Sequence, residues 1–111
     1  MAIRLVYMTA GTLEEAKTIG HHLIQSGLAA CVNILSPMVS LYMWEGDLQE
    51  DTEVVLIAKT TADQVQNVIR EVKTLHSYDC PCILTLPVDG GNPDPEFLQW
   101  ISSEVEAKTE S

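Results

Sequence analysis

The sequence predicts an α+β protein built on a four-stranded antiparallel sheet with helices packed against it. Strand-like runs of apolar residues occur at positions 3–9, along both arms of 29–60, and at 82–88. Two segments between them place apolar residues at helical spacing. The 29–60 stretch reverses at residues 44–47, where Gly46 allows the backbone conformation of a tight hairpin turn. One long hairpin therefore dominates the predicted sheet.

Length and composition indicate a single folded domain over residues 1–111. Apolar residues make up 46% of the chain, which excludes extensive disorder. The formal net charge is −10, and the 6 Lys and Arg residues are scattered. This balance argues against nucleic acid and anionic membranes as partners, because both carry negative charge themselves.

The targeting and cysteine patterns lead us to expect a cytoplasmic protein. No apolar run approaches the ~20 residues of a membrane-spanning helix. The N-terminus enters a strand-like pattern directly and lacks the layout of a secretion signal. The 3 cysteines are odd in number and irregular in spacing, so they indicate no disulfide framework.

The first strand, residues 3–9, is apolar almost throughout, as is typical of a central strand. The first helix begins after Thr12, whose hydroxyl is placed to form a capping box with Glu15. Gly27 is well placed to end this helix, which then connects the strand to the hairpin. The predicted apolar face contains Leu13, Ala16, Gly20, Leu23 and Ile24.

The hairpin is too long for a domain of this size. Each arm can hold more than ten residues, whereas strands usually hold about five or six. The far half would expose Leu41, Tyr42 and Trp44, together with unpaired backbone groups, unless something covers it. We therefore expect the far half to pair with neighbouring subunits of an oligomer.

The second half of the chain repeats the strand–helix–strand order. Residues 53–59 form the inner part of the second arm, and Thr61 with Gln64 predicts another capping box. Residues 82–88 form the fourth strand, which Pro87 indicates is an edge strand. The apolar face of the second helix contains Val65, Val68, Ile69, Val72 and Leu75.

A third helix follows a loop at residues 90–93. Asp94 caps it and Pro95 is its first residue, while a frayed tail is expected from Lys108. Its apolar face contains Phe97, Leu98, Ile101 and Val105. The order β-α-β, β-α-β, α predicts a ferredoxin-like (split βαβ) sandwich with an extra C-terminal helix. Both main helices would cover one face of the sheet and leave the other face bare.

A set of short motifs is spread over nearly the whole chain. The motifs are LAACVN at 28–33, SLY at 40–42, WEG at 44–46, Glu50-Asp51, Glu53-Val54, Lys59-Thr60, Leu75-His76, Tyr78, Pro81 and FLQW at 97–100. In order and spacing they resemble the CutA family of divalent-cation-tolerance proteins. The resemblance implies a ferredoxin-like subunit, a homotrimer whose long hairpin arms pair between subunits, and an architecture like that of PII-type signalling proteins. It also implies a link to copper and other divalent metals.

The chain departs from the family pattern at the metal-related positions. His76-Ser77-Tyr78 stands where members usually have His-Pro-Tyr, and Cys82 stands where members often have Glu. Copper-linked members have a Cys in the first strand and two adjacent His after the second helix. Those positions here resemble Met8 and Leu75-His76, so His76 is the one strong ligand that matches.

The candidate metal ligands are His76, Cys80 and Cys82. In an extended chain, Cys80 and Cys82 point to one face, and with His76 they could bind a soft metal such as copper. The alternative is structural: Cys82 packs as a small apolar residue, and His76 interacts with the C-terminal dipole of the second helix. Both interpretations are open from the sequence.

A second group of residues is predicted to lie at subunit interfaces or in a cleft between subunits. The group contains Cys31, Trp44, Glu53, Lys59, Tyr78, Asp79 and Trp100. The acidic residues near the hairpin tip either attract cations or form a solvated rim that discourages aggregation.

No nucleophile elbow, phosphate-binding loop or dinucleotide glycine pattern is present, so the sequence favours a protein that is not an enzyme. We expect a homotrimer that binds copper or another divalent ion and contributes to metal tolerance. The alternative is a PII-like small-molecule sensor or protein-interaction scaffold with ligand clefts between subunits.

Overall fold

The computed structural model describes residues 2–88 and 94–109. The elements are β1 (Ile3–Ala10), α1 (Leu13–Gln25), β2 (Cys31–Trp44), β3 (Asp47–Thr61), α2 (Val65–Leu75), β4 (Ile83–Pro87) and α3 (Pro95–Thr109). A 3-10 turn, Ala62–Gln64, precedes α2. The sheet has the strand order β2-β3-β1-β4 with every neighbouring pair antiparallel, which confirms the α+β, ferredoxin-like class.

The main core lies between one face of the sheet and helices α1 and α2. Alternate residues of β1 and β3 point to this face, because side chains alternate along a strand. Met8 and Leu56 are cross-strand partners there, and both are completely buried. Leu23 of α1 and Val72 of α2 pack into the same cluster. These contacts hold β1 and the inner half of β3 in the centre of the molecule.

Helix α3 packs on the opposite face of the sheet, so the prediction that this face is left bare is wrong in part. The Lys59 ammonium lies 5.5 Å from the centroid of the Phe97 ring on α3. Ile101 and Val105 of α3 are buried. Leu84 and Leu86 of β4 stay exposed. Part of this face is therefore apolar and uncovered within one subunit.

The hairpin projects beyond the rest of the sheet. Its two-residue turn has Glu45 at φ 50° and Gly46 at φ 85°, as a tight hairpin reversal requires. The last partner of β1 on β3 is Val54. Beyond it, Asp47–Glu53 pairs, among the described residues, with Met38–Trp44 alone. We call these two segments the ribbon; at ~3.3 Å per residue it extends about 23 Å.

The ribbon exposes the side chains that the sequence analysis predicts. Leu41 is 65% exposed, Tyr42 is 42% exposed and Trp44 is 63% exposed. Because β2 is an edge strand, the backbone groups along its outer side are also free of a neighbouring strand within the described chain. The overhang is therefore confirmed for a single subunit.

Several local predictions need correction. Leu13 and Leu75 are exposed, and Ile19 is buried on the α1 face instead of Leu13. No side-chain cap precedes α2, because the Thr61 hydroxyl donates a hydrogen bond to Asp63.

Three predicted boundaries can be compared with the structure. β4 begins at Ile83, one residue after the predicted start. The backbone of α3 is helical to Thr109, past the predicted start of fraying, and residues 110–111 lie outside the described residues. The predicted loop at 90–93 also lies outside them. Among the described helices, none combines the length and apolar character needed to cross a membrane.

Candidate functional site

An open cleft of about 570 Å³ lies between the ribbon and the segment that follows α2. The ribbon forms one wall, and residues 78–82 form the other. The lining residues are Thr9, Tyr42, Trp44, Gln49, Asp51, Glu53, Tyr78, Cys80 and Cys82. Five residues of the two predicted site groups therefore line the cleft: Trp44, Glu53, Tyr78, Cys80 and Cys82.

His76 anchors the segment that carries the second wall. The backbone N–H of Tyr78 donates to His76 Nδ1 at 3.1 Å, so Nδ1 is unprotonated. The other ring nitrogen, Nε2, therefore carries the proton and donates to the Thr9 carbonyl at 2.7 Å. The side chain is fully buried, and its ring contacts the Tyr78 ring at a centroid distance of 4.7 Å. Both ring nitrogens are in use, so a metal would have to displace one of these bonds.

Glu15 of α1 holds the same segment from the other side. Its carboxylate accepts from the Ser77 N–H at 2.7 Å and from the Gly11 N–H at 3.2 Å, and it lies 4.0 Å from His76 Nδ1. Burial alone would raise the pKa of Glu15, but the hydrogen bonds from Ser77 and Gly11 bring the pKa below its ordinary value. The carboxylate therefore ties the start of α1 to the end of α2.

The predicted capping box at Thr12 is confirmed in one half. The Glu15 N–H donates to the Thr12 hydroxyl at 3.1 Å. The Glu15 side chain bonds to Gly11 and Ser77 rather than back to Thr12. Local sequence spacing does not reveal this second role of Glu15, because Ser77 is 62 residues away in the chain.

The ribbon wall is acidic and hydrogen-bonded. Asp51 accepts from the Tyr42 hydroxyl, and Glu53 accepts from the Ser40 hydroxyl at 2.7 Å and from the Tyr78 hydroxyl at 3.3 Å. The hydrogen bond to Asp51 raises the pKa of Tyr42. Burial, followed by the charge of Glu53, raises the pKa of Tyr78. Both phenols therefore stay protonated at neutral pH and donate to the carboxylates.

Tyr42 and Asp51 also line the cleft, although they are not among the predicted site residues. Their proximity could have been predicted from the strand register. The pairs Tyr42 with Gln49, Ser40 with Asp51, and Met38 with Glu53 are opposite each other in the ribbon. Every second residue of each arm then faces the same side, which brings their polar groups together.

The two cysteines of the cleft lie on the same side of their segment. Cys80 and Cys82 are exposed, whereas Pro81 between them is buried. Burial, followed by the charge of Glu53, raises the pKa of Cys82, although a hydrogen bond with Thr9 opposes the shift. The Cys82 thiol is thus protonated at neutral pH, and a metal would have to displace its proton.

The predicted ligand set of His76, Cys80 and Cys82 is not assembled within one subunit. In the part of the chain that the structure describes, no three His, Cys, Asp or Glu residues are grouped so that they could hold a metal ion. Cys80 and Cys82 face the cleft, while the nitrogens of His76 bond to Thr9 and Tyr78. The ligand set stays a prediction.

Lys59 and Cys31 lie away from the cleft. Lys59 Nζ donates to Asn33 Oδ1 at 2.8 Å and contacts Cys31 Sγ at 3.7 Å. Lys59 is six residues from Glu53 along β3, which places the two about 20 Å apart. Within one subunit, Lys59 therefore does not share a site with Tyr78, and their meeting between subunits stays a prediction.

The remaining predicted interface residues are on the surface. Trp100 on α3 is partly exposed and lies beside Phe97, with ring centroids 5.5 Å apart. Trp44 is at the end of the ribbon and lines the cleft, and Asp79 is exposed near the cleft. These positions are accessible to another copy of the chain, and a role at an interface stays a prediction for each.

Comparison with known proteins gives a match over nearly the whole chain. Residues 4–104 match the model of a family described as the CutA1 divalent ion tolerance protein. The divalent-cation tolerance protein CutA of Archaeoglobus fulgidus is 45% identical over 101 residues, which cover 91% of this chain and 96% of that protein.

Solved structures show the same fold. The structure of the periplasmic divalent cation tolerance protein CutA from Archaeoglobus fulgidus has a TM-score of 0.86 at 42% identity, covering 93% of this chain and 98% of that one. The crystal structure of CutA1 from Oryza sativa has a TM-score of 0.89 at 35% identity, covering 94% of each chain. The agreement therefore extends from the core to the long hairpin.

Proposed function

The chain belongs to the CutA1 divalent ion tolerance protein family, and on this premise we propose that it acts as a homotrimer that binds copper or another divalent metal ion and contributes to metal tolerance. In this role it binds and does not catalyse a reaction. The observation that carries the proposal is the cleft, in which thiols and carboxylates meet without a basic side chain among the described lining residues.

The charge of the cleft favours cations. Asp51 and Glu53 lie on one wall, and the whole chain has a formal charge of −10. Carboxylate and phenol oxygens suit hard divalent ions, while the Cys80 and Cys82 sulfurs suit soft ions such as Cu(I). One subunit does not gather three ligands among its described residues, so the neighbouring subunit or solvent would complete the coordination.

The exposed ribbon supports the trimer. A two-stranded hairpin is marginally stable in water, and an exposed apolar edge strand pairs readily with another chain. Leu41 and Trp44 remain largely exposed in one subunit, and β2 has a free edge along its whole length in the described sheet. Pairing of the ribbons of neighbouring copies would bury these side chains and complete the edge.

Isothermal titration of Zn²⁺ and of Cu(I) into the reduced, assembled protein tests the proposal. We expect saturable binding tighter than about 1 mM, which corresponds to about −4 kcal/mol. The double variant Cys80→Ser/Cys82→Ser should lose Cu(I) affinity, and Glu53→Gln should weaken Zn²⁺ binding. Cys31→Ser is the matched control, because Cys31 contacts Lys59 outside the cleft. Absence of saturable binding, or equal loss in the control, contradicts the proposal.

The small-molecule alternative is supported by the size of the cleft. Its volume of about 570 Å³ falls within the range of known small-molecule sites, about 300–1,000 Å³. An anionic metabolite is disfavoured, because the described lining contains Asp51 and Glu53 but no Lys or Arg. A thermal-shift screen separates the two functions. If an anionic metabolite raises the melting temperature and metal ions do not, the sensor function is favoured.

A cytoplasmic location is part of the proposal. The related protein from Archaeoglobus fulgidus is described as periplasmic, so the location can differ within the family. Cell fractionation followed by detection of the protein tests the location. Recovery in a membrane-enclosed compartment other than the cytoplasm would contradict it.

A further inference from the structure

The Cys80-Pro81-Cys82 segment places two thiols, separated by one residue, on the same wall of the cleft. Pro81 is buried and the cysteines on either side are exposed, so both thiols face the cleft. In an extended chain, Cα atoms two residues apart are separated by about 6.6 Å. Disulfides span Cα separations of about 4.4–6.8 Å. A Cα separation of this size lies near the upper limit of that range, and the bond would require the two Cβ atoms to move closer together.

The adjustment that such a bond needs would break no strand pairing. β4 begins at Ile83, and its ladder to β1 starts at the pair Met8–Ile83. Cys80 and Cys82 thus precede the strand, outside the described sheet register. The third cysteine, Cys31, is on β2 beside Lys59 and is not part of the cleft.

We propose that Cys80 and Cys82 form a reversible disulfide with each other when the surrounding thiol pool is oxidised, and that this bond removes both sulfur donors from the cleft. The oxidant is a low-molecular-weight disulfide such as glutathione disulfide. The Cys80 thiolate attacks it, forms a mixed disulfide and releases one glutathione thiolate. Cys82 then attacks the Cys80 sulfur and releases the second glutathione. The protein loses two protons and two electrons, and one glutathione disulfide becomes two glutathione molecules.

The roles of the two cysteines follow from their positions. Both are exposed and line the same cleft, so the oxidant can reach Cys80. Cys82, two residues away on the same wall, then attacks the mixed disulfide beside it. A bond between residues so close in the chain is strained, and strained or exposed disulfides are the easily reduced, regulatory ones. The bond is therefore a regulatory disulfide and not a structural one.

The effect on ion binding rests on the proposed function, whereas formation of the bond does not. Soft ions need thiolate ligands, and the disulfide has none. The carboxylates Asp51 and Glu53 are unchanged by oxidation. Oxidation should therefore abolish Cu(I) binding and leave Zn²⁺ binding to the carboxylates less affected.

The test uses the full-length assembled protein in glutathione buffers of graded oxidised-to-reduced ratio. Free thiols are trapped with a maleimide, and the intact mass and peptide map are measured. We expect an oxidised form that has lost two hydrogens, with Cys80 and Cys82 blocked together and Cys31 still free. Added dithiothreitol should restore three free thiols. Persistence of both free thiols at the most oxidising ratio overturns the proposal, and so does a bond that involves Cys31.

Two variants separate the intramolecular bond from other products. Cys31→Ser should behave as the unaltered chain does. Cys82→Ser should accumulate the mixed disulfide with glutathione on Cys80, because the second step is blocked. If the unaltered chain shows the same stable adduct, Cys82 does not attack it and the proposal is wrong. Equal Cu(I) affinity before and after oxidation overturns the control of binding, whereas absence of binding in both states overturns the proposed function.

Discussion

The two halves of β3 lie in different surroundings, although both are regular strand. In the inner half, Val54, Leu56 and Ala58 are buried between the helices and the sheet. In the outer half, which belongs to the ribbon, Leu48 is 71% exposed and the neighbouring residues are mostly acidic or polar. The inner half pairs with β1 and β2, and the outer half pairs with β2 alone in the described sheet.

The comparison shows that a single chain stabilises the inner half of β3 by burial, whereas it gives the ribbon its conformation but little buried surface. The inner half contributes to a closed core and gains the free energy of apolar burial. The ribbon has the correct turn and register but covers few of its apolar side chains. We propose that association supplies its order in solution, because an isolated two-stranded hairpin is only marginally stable in water. Substitutions in the two regions should therefore affect different measured quantities.

Leu56→Ala should have the largest effect, and on the stability of the subunit itself. Leu56 is completely buried among core residues of β1 and the helices. Removal of a buried leucine side chain typically costs about 2–5 kcal/mol. Urea unfolding at one protein concentration measures the loss. A change below about 1 kcal/mol would mean that the inner half is not the stabilising half.

Leu41→Glu should act on assembly. If ribbons pair between subunits, Leu41, which is exposed in one subunit, becomes buried in the interface. Burial of a leucine contributes about 1.5–3 kcal/mol, and a glutamate at this position would lose that contribution. Light scattering should show dissociation on dilution. Leu13→Glu on α1 is the matched control, since Leu13 is also an exposed leucine.

A second ribbon variant, Trp44→Ala, avoids the introduced charge and should also weaken the assembly. An unchanged mass for both ribbon variants at every dilution would contradict pairing through the ribbon. Dissociation of the Leu13→Glu control would show that the effect is not specific to the ribbon.

Glu15→Gln should have an intermediate, pH-dependent effect on the body of the subunit. The carboxylate accepts two backbone hydrogen bonds, and the loss of its charge should cost about 1–2 kcal/mol. Its pKa is lowered from the ordinary value of 4.5. The contribution is therefore complete above pH 4.5 and is lost as the pH falls through the folded-state pKa. Unfolding curves of both proteins should converge in acid. If the difference in unfolding free energy between the two proteins stays constant as the pH falls below 4.5, the charge of Glu15 does not have this role.

Gly11→Ala should have the smallest effect on stability. A Cβ at Gly11 would lie 3.2 Å from the Tyr78 hydroxyl oxygen, and the partly exposed Tyr78 ring can move away. We expect a change within about 0.5 kcal/mol, as is typical of surface substitutions. The displaced hydroxyl should lose its bond to Glu53, so the raised pKa of Tyr78 should fall towards the ordinary value. Phenol titration by absorbance, with Tyr78→Phe to assign the signal, checks this. An unchanged titration would show that Tyr78 does not move.

The fold could be predicted where short-range signals decide the structure. Thr12 accepts from the Glu15 N–H, and Asp94 accepts from the Glu96 N–H at the start of α3. The positive φ of Gly46 closes the hairpin as expected. Thr61 shows the limit, because its hydroxyl has the nearby carboxylate of Asp63 as a competing partner. The exposure of Leu13 was also not predictable, since helical spacing places Leu13 on the same face as the buried Ala16 and Gly20.

The part of the candidate site that could be predicted depends only on the alternation of side chains along one short segment. Cys80 and Cys82 line the same cleft, as alternation of side chains along the segment predicts. The bonding of His76 could not be read from its neighbours, because its acceptor, the Thr9 carbonyl, is 67 residues away. The same holds for Glu15 and Ser77. Long-range hydrogen bonds depend on the final packing, which spacing in the sequence does not contain.

The account depends most on the ribbon being completed by other copies of the chain. Sedimentation of the protein over a dilution series tests this directly. We expect a folded species with three times the chain mass of 12.2 kDa, which persists to low concentration. A folded, stable single chain with an intact hairpin at every concentration would contradict the account.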